Sequence, residues 1–149
     1  MIYKIRVWCG VVDQDNNIIQ IIDFFKSYSK YENIADYDLF NYLYPCIKVS
    51  QFEVFIERDG IKGFVSWAYL NDIAEFKFKR TGQIEQWNCG DKVWVVDVLS
   101  KRNAKNEIYW LKKYFSNKFG AKKRINYLRV SSNNIIESVR HLYTQEFYK

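Results

Sequence analysis

The sequence predicts an α+β protein with a mixed central sheet and flanking helices, and three observations support this class. Apolar residues recur at helical spacing in residues 18–28, whereas in residues 52–57 the period changes and Phe52, Val54 and Ile56 alternate with Glu53, Phe55 and Glu57. Asp59-Gly60 is a strong hairpin signal between two strand patterns. Finally, the strand–helix–strand succession over residues 92–130 fits one parallel βαβ crossover.

The first elements follow from periodicity and from residues that interrupt it. Residues 2–12 are rich in β-branched and aromatic residues and are predicted as a strand. A helix is predicted over residues 18–28. A second helix is predicted over residues 36–44, ending near Pro45 because proline disrupts a helix interior.

The central elements are predicted as a hairpin followed by a buried strand. Residues 52–58 and 62–69 form the two arms of the hairpin. Residues 70–80 fit a helix or a further strand, and the pattern leaves both open. Residues 92–99 form a nearly continuous apolar run, which is typical of a buried central strand.

The last elements complete the crossover. A helix is predicted over residues 103–119, with Gly120 at the C-cap position. Residues 124–130 return to strand, and residues 135–143 form an element of undecided type. With 149 residues and no linker or repeat, the chain is predicted to be a single domain, 1–149.

Composition bounds the environment and the partners. A net charge of +6 favours an acidic partner, which charge alone does not identify as nucleic acid, lipid or protein. An aromatic content of 19% favours an exposed contact surface and hence a second protein as partner. Three cysteines without metal-ligand spacing predict free thiols in a reducing, cytoplasmic setting. No apolar run approaches the ~18 residues that indicate a membrane span.

Asp97 is the strongest candidate for chemistry. It lies inside the apolar run of residues 92–99, where a carboxylate costs several kcal/mol unless it is paired or hydrogen-bonded. Capping of a neighbouring turn is the structural alternative. His141 is the only histidine and is predicted to be a surface or half-packed residue, so no Ser/His/Asp triad is assembled. No cluster has metal-ligand spacing, and no metal is predicted.

A basic tract is the second candidate feature. Its members are Lys112, Lys113, Lys118, Lys122, Lys123 and Arg124. The tract is interpreted either as a docking surface for an acidic partner or as a solvated helix face. The absence of a recognised binding motif argues against nucleic acid as the partner. The junction after residue 99 lacks the glycine-containing loop that grips pyrophosphate, which argues against bound coenzyme A and predicts no bound cofactor.

Two segments resemble the RTX toxin-activating lysine acyltransferases. Residues 63–70 (GFVSWAYL) are similar to a family strand, and residues 87–97 (WNCGDKVWVVD) are similar to its W-x-x-G-D-x-x-W-x-x-D segment. The similarity covers roughly residues 18–143. It implies a GNAT-like acyltransferase fold and transfer of an acyl group from an acidic acyl-carrier protein to a protoxin lysine. It also implies a functional role for Asp97 and substrate or partner contacts for Ser66, Trp67 and Trp94.

One family position departs from the pattern. The family pairs the strand aspartate with an N-terminal histidine, and the matching segment, residues 29–33, carries Glu32 and no histidine. Three hypotheses stay open. The favoured one is attachment of a siderophore to the C-terminus of a microcin peptide, together with a partner protein, as implied for relatives in microcin gene clusters. The others are carrier-protein-dependent lysine acylation with Glu32 in place of histidine, and a non-catalytic binding or scaffold module.

Overall fold

The elements follow the predicted order along the chain. The computed structural model describes residues 14–101 and 104–145, and the strand predicted over residues 2–12 lies outside them. The helices are α1 (Gln14–Lys26), α2 (Asp36–Lys48), α3 (Asp72–Thr81) and α4 (Ala104–Phe119). The strands are β1 (Phe52–Glu57), β2 (Gly60–Leu70), β3 (Lys92–Ser100), β4 (Arg124–Val130) and β5 (Ile136–Tyr143). None of the described helices combines the length and apolarity that crossing a membrane requires.

Helix α2 corrects one prediction. The helix does not end near Pro45 but continues through it to Lys48. Proline removes one backbone donor and crowds the preceding turn, which disfavours a helix interior. Burial outweighs this cost, because Leu39, Leu43 and Cys46 together bury one face of α2 in a core cluster that it shares with α1 and β2.

The segment left open between helix and strand is helix α3. Its start is capped by Asn71, whose Oδ1 accepts a hydrogen bond of 2.9 Å from the backbone N–H of Ala74. Its end is set by Gly82, which takes the left-handed conformation with φ 69°. Only Phe78 of this helix is buried, which explains why apolar periodicity alone did not identify it.

The described strands form one sheet in the order β1-β2-β3-β4-β5. Neighbours pair antiparallel except β3 and β4, which are parallel and are joined through α4, so the predicted βαβ crossover is confirmed. The hairpin of β1 and β2 is also confirmed, with Glu57 opposite Gly60 at its turn. The segment of undecided type is the edge strand β5.

The sheet is covered on both faces. Helices α1, α2 and α3 pack on one face, where Phe64 and Trp94 are buried. Helix α4 packs on the other through Leu111 and Phe115. Trp67, Trp94 and Leu111 are buried, whereas Val96, in the same apolar run as Trp94, is only half-buried.

The segment over residues 87–90 is fastened to the end of β2. The backbone N–H of Tyr69 donates to the Trp87 carbonyl at 2.9 Å, and the N–H of Cys89 donates to the Tyr69 carbonyl at 2.8 Å. The buried Gln51 adds two side-chain hydrogen bonds, from Nε2 to the carbonyls of Trp67 and Trp87 at 3.0 and 2.7 Å. The segment therefore fixes the start of β3 against β2.

Gly90 is required by this close approach. A Cβ at position 90 would lie 2.3 Å from the backbone N of Asn71 and from the backbone carbon of Leu70. We expect Gly90→Ala to lower the free energy of unfolding by about 1–3 kcal/mol, as overpacking does. Gly63→Ala is the matched control, because its Cβ would meet neighbours at 3.5 Å or more. Urea denaturation measures both, and equal stability of the two variants would contradict the assignment.

Candidate active site

A bulge in β3 sets the direction of the Asp97 side chain. Along β2, Ser66 pairs with Asp97 but the next residue, Trp67, pairs with Val95, so Val96 is an extra residue in β3. The Oγ of the buried Ser66 accepts a hydrogen bond of 3.1 Å from the Asp97 backbone N–H. The bulge explains both the half-exposure of Val96 and the tolerance of a carboxylate in an apolar strand.

Strands β3 and β4 separate beside the bulge. Their parallel pairing covers only Val93–Val95 with Ile125–Tyr127, although both strands continue beyond these residues. A cleft of about 390 Å³ occupies the gap. Its walls are mostly apolar: Val95, Val96, Val98, Leu99, Ile108, Leu111, Phe115, Tyr127, Leu128, Val130 and Leu142. A cleft of this kind can receive an extended apolar chain or a slender side chain.

Charged and phenolic groups are few in the cleft. Asp97 and Glu107 contribute carboxylates, and Lys30 and Tyr31 enter from the turn between α1 and α2. Burial raises the pKa of the Glu107 carboxyl. Among the described residues, two carboxylates therefore share an apolar cleft with one lysine, which is the kind of environment where proton transfer is tuned.

Within the part of the chain that the structure describes, the Asp97 carboxylate has one side-chain hydrogen-bond partner, which comes from α2. The hydroxyl of Tyr42 donates to Asp97 Oδ2 at 2.6 Å. Burial raises the pKa of the Asp97 carboxyl, and the hydrogen bond from Tyr42 and the charge of Lys30 oppose this in part. The pKa of Tyr42 is raised in turn by burial and by the Asp97 charge. A carboxylate with a raised pKa is suited to accept a proton in a reaction near neutral pH.

Glu32, the predicted replacement for the family histidine, lies in the turn between α1 and α2. Its side chain is exposed, whereas its neighbours in the turn, Lys30 and Tyr31, line the cleft. Among the described residues, Glu32 makes no contact with Asp97. The carboxylate that does share the cleft with Asp97 is Glu107, in the first turn of α4.

The predicted contact residues of β2 and β3 are placed in the interior. Trp67 is 1% exposed and packs on Phe115, while Ser66 is fully buried beneath Asp97. Trp94 is likewise buried, and its indole Nε1 donates to Glu75 Oε2 at 2.7 Å. These side chains support the strand that carries Asp97, and their burial leaves little surface for a direct contact with a partner.

The basic tract divides into two parts. Lys112 and Lys113 lie on α4, half-buried and exposed respectively. Lys122, Lys123 and Arg124 lie at the turn into β4. Two members of this second part are held by neutral acceptors of the chain, which restrict their positions and leave their charge in place: Lys123 Nζ donates to the Asp91 carbonyl at 3.1 Å, and Arg124 Nε donates to Asn126 Oδ1 at 3.0 Å.

Cys46 and His141 are poorly placed for chemistry at Asp97. Cys46 is buried, its Sγ donates to the Leu43 carbonyl at 3.1 Å, and burial with the nearby Asp97 charge raises its pKa to about 12. His141 is exposed on β5 beside Tyr143. Over residues 14–101 and 104–145, no group of three His, Cys, Asp or Glu side chains could hold a metal ion.

Sequence reasoning identified Asp97 but missed the residues around it. Tyr42 lies in a segment that was predicted only as a helix. Lys30 and Tyr31 lie in residues 29–33, which were matched to the family's histidine segment, but only Glu32 was singled out there. Glu107 had one available signal, since it follows the Asp97 strand in the first turn of the crossover helix. That position places a side chain near the carboxyl ends of the parallel strands, where clefts form in such sheets.

The fold and the site together define a class: a mixed α+β protein of GNAT-like acyltransferase type, with a sheet that opens between parallel strands beside one carboxylate. The model of the RTX toxin acyltransferase family (HlyC) matches residues 15–141. The chain therefore belongs to this family of acyltransferases. A comparison with curated proteins gave no match.

Proposed function

We propose that this protein transfers a fatty acyl group from the thioester of an acyl-carrier protein to a lysine side chain of a toxin polypeptide. The observation that carries the proposal is the position of Asp97 in an apolar cleft between two separated parallel strands. The cleft walls suit an alkyl chain, and family membership supplies the acyl-transfer chemistry and the toxin substrate.

The reaction needs a proton acceptor and no covalent intermediate. The lysine ammonium gives a proton to the Asp97 carboxylate, and the free amine attacks the thioester carbonyl carbon. The C–S bond then breaks, the amide nitrogen loses its second proton, and the carrier thiolate takes up that proton. Direct transfer is supported by the burial of Cys46, whose high thiol pKa makes it a poor nucleophile. The raised pKa of Asp97 brings its basicity closer to that of the amine.

The basic tract is proposed as the docking surface for the acidic carrier protein. Lys112, Lys113 and Lys122 are proposed to contact the carrier together with Lys123 and Arg124, whose hydrogen bonds within the chain go to neutral acceptors. Long-range attraction between a basic surface and an acidic carrier increases the association rate and weakens with salt.

A second candidate is attachment of a siderophore to a microcin C-terminus together with a partner protein. The observation that favours it is the absence of histidine from residues 29–33, where the family has its second functional residue. Neighbouring genes for a microcin precursor and a siderophore glycosyltransferase would favour this candidate, and a neighbouring protoxin gene would favour lysine acylation.

The test is incubation of the purified protein with a tetradecanoyl thioester of acyl-carrier protein and an RTX protoxin fragment. We expect mass spectrometry to find the acyl group on a lysine side chain, and a Lys→Arg change at that substrate position to abolish it. Modification of a microcin C-terminus instead would favour the second candidate. No transfer to either substrate, with a folded protein, would favour a binding module.

A further inference from the structure

We propose that Tyr42 is a positioning residue that holds Asp97 Oδ2 and leaves Oδ1 directed to the substrate amine. The inference rests on the proposed acyl transfer, and it adds a residue from α2 to a site otherwise built on β3, β4, β5, α4 and the turn between α1 and α2. Its basis is the 2.6 Å hydrogen bond from the Tyr42 hydroxyl to Asp97 Oδ2, which spans 55 residues of sequence.

Tyr42 is not explained by core packing. Its side chain is 46% exposed, and the buried face of α2 is formed by Leu39, Leu43 and Cys46. A phenylalanine at position 42 would keep the ring and its packing. The hydroxyl therefore contributes mainly through the bond to Asp97, which is charge-assisted and hence stronger than a neutral hydrogen bond.

The bond complements the bulge in β3. The bulge fixes the Asp97 backbone through Ser66, and Tyr42 fixes one carboxylate oxygen, so the rotation of the side chain is restricted from both ends. Such restriction matters for catalysis, because a proton acceptor must be within hydrogen-bond reach of the proton it removes. Without the phenol, the carboxylate would rotate among several orientations.

The groups that face Asp97 influence the pKa of its carboxyl. Lys30 and Tyr31 approach from the turn between α1 and α2, Tyr42 and Cys46 approach from α2, and Glu107 lines the same cleft from α4. Of these, only Tyr42 donates a hydrogen bond to the Asp97 carboxylate among the described residues. Its hydroxyl stabilises the charged form, so its removal raises the Asp97 pKa further.

The first experiment is independent of any substrate. Aspartate is labelled with ¹³C at Cγ, and the Asp97 signal is identified by its loss in Asp97→Asn. We expect the Asp97 pKa to be higher by about one unit in Tyr42→Phe than in the wild type. Tyr44→Phe is the matched control, since Tyr44 lies on the same helix with a similar exposure of 43%, and it should leave the Asp97 signal unchanged.

The second experiment follows the rate of transfer from the tetradecanoyl carrier thioester against pH. Tyr42→Phe is expected to move the acid limb of the kcat profile to higher pH, to lower kcat by up to about tenfold on that limb, and to lose less above it, because the limb moves with the carboxylate. KM should change little. A uniform loss at every pH that follows a lower melting temperature would indicate a structural role and overturn the inference.

The two experiments separate the inference from the function on which it rests. If the wild type transfers no acyl group, the proposed function fails, and the titration alone decides whether Tyr42 holds Asp97. If the Asp97 pKa is the same in Tyr42→Phe and the wild type, the hydrogen bond is not maintained and the inference is wrong. A shifted pKa with an unchanged pH–rate profile also overturns it, because positioning would then have no effect on the reaction.

Discussion

Asp97→Asn is expected to reduce acyl transfer by at least ~10²-fold while the fold is retained, as for the loss of a general base. Asparagine has nearly the same shape, and its amide oxygen can accept the hydrogen bond from Tyr42. The amide cannot accept the ammonium proton of the attacking lysine, however. The measurement is the single-turnover rate with the carrier thioester and the protoxin fragment.

The same substitution is expected to raise stability near neutral pH. Burial holds the pKa of Asp97 above its ordinary value of 3.8, so the folded state binds the proton more tightly than the unfolded state. The free energy of unfolding therefore falls as pH rises from about 4 through the folded pKa. Asparagine removes this unfavourable term, so the melting temperature of Asp97→Asn should equal or exceed that of the wild type at pH 7 and converge with it in acid.

Asp91→Asn is the control for this pair of measurements. Asp91 belongs to the same motif and precedes β3, but its side chain is exposed and does not line the cleft. It should retain both the rate and the melting temperature. An Asp97→Asn protein that transfers acyl groups at the wild-type rate would remove the catalytic assignment. A loss of activity that accompanies a large fall in melting temperature would make Asp97 structural.

The parts of the fold that were predictable are those with local signals. The alternating and continuous apolar runs identified β1, β2 and β3, and the spacing of strand, helix and strand identified the crossover. Helix α3 was missed as a definite helix because its apolar face is narrow, although its capping residues Asn71 and Gly82 were visible in the sequence. The predicted end of α2 near Pro45 was wrong, because burial of the apolar face of the helix outweighs the local preference against proline in a helix interior.

The site residues also separate into those with a local signal in the sequence and those without one. Asp97 was predictable, because a carboxylate in an apolar strand is anomalous wherever the strand lies. Tyr42 was not, because it is ordinary in its own helix and acquires significance only through the packing of α2 on β3, and Glu107 had only its position in the first turn of α4 as a signal. Glu32 was chosen by its position in the sequence, and its exposure in the turn was not available from that position.

Ile108→Trp is expected to separate long from short acyl donors. Ile108 lines the cleft from α4 but is 57% exposed, so a larger side chain can fill the cleft without disturbing the core. Excluding two methylene groups from the cleft forfeits about 1.6 kcal/mol, at ~0.8 kcal/mol for each. That corresponds to a loss of more than about tenfold in kcat/KM for a tetradecanoyl donor. A butyryl donor, which needs only the inner part of the cleft, should be affected much less.

Two further variants make the result specific to the cleft. Val130 lies on β4 in the opposite wall of the cleft and is 44% exposed. Val130→Trp should therefore reproduce the selective loss of activity with the long donor. Ile73→Trp makes the same chemical change on α3, at a side chain that is 71% exposed outside the cleft, and should leave both donors unaffected. Equal losses for long and short donors in Ile108→Trp would indicate disturbance of Asp97 rather than of a chain-binding wall. Wild-type kinetics with the long donor in both cleft variants would exclude the cleft as the acyl site, because an alkyl chain cannot share a space that an indole ring fills.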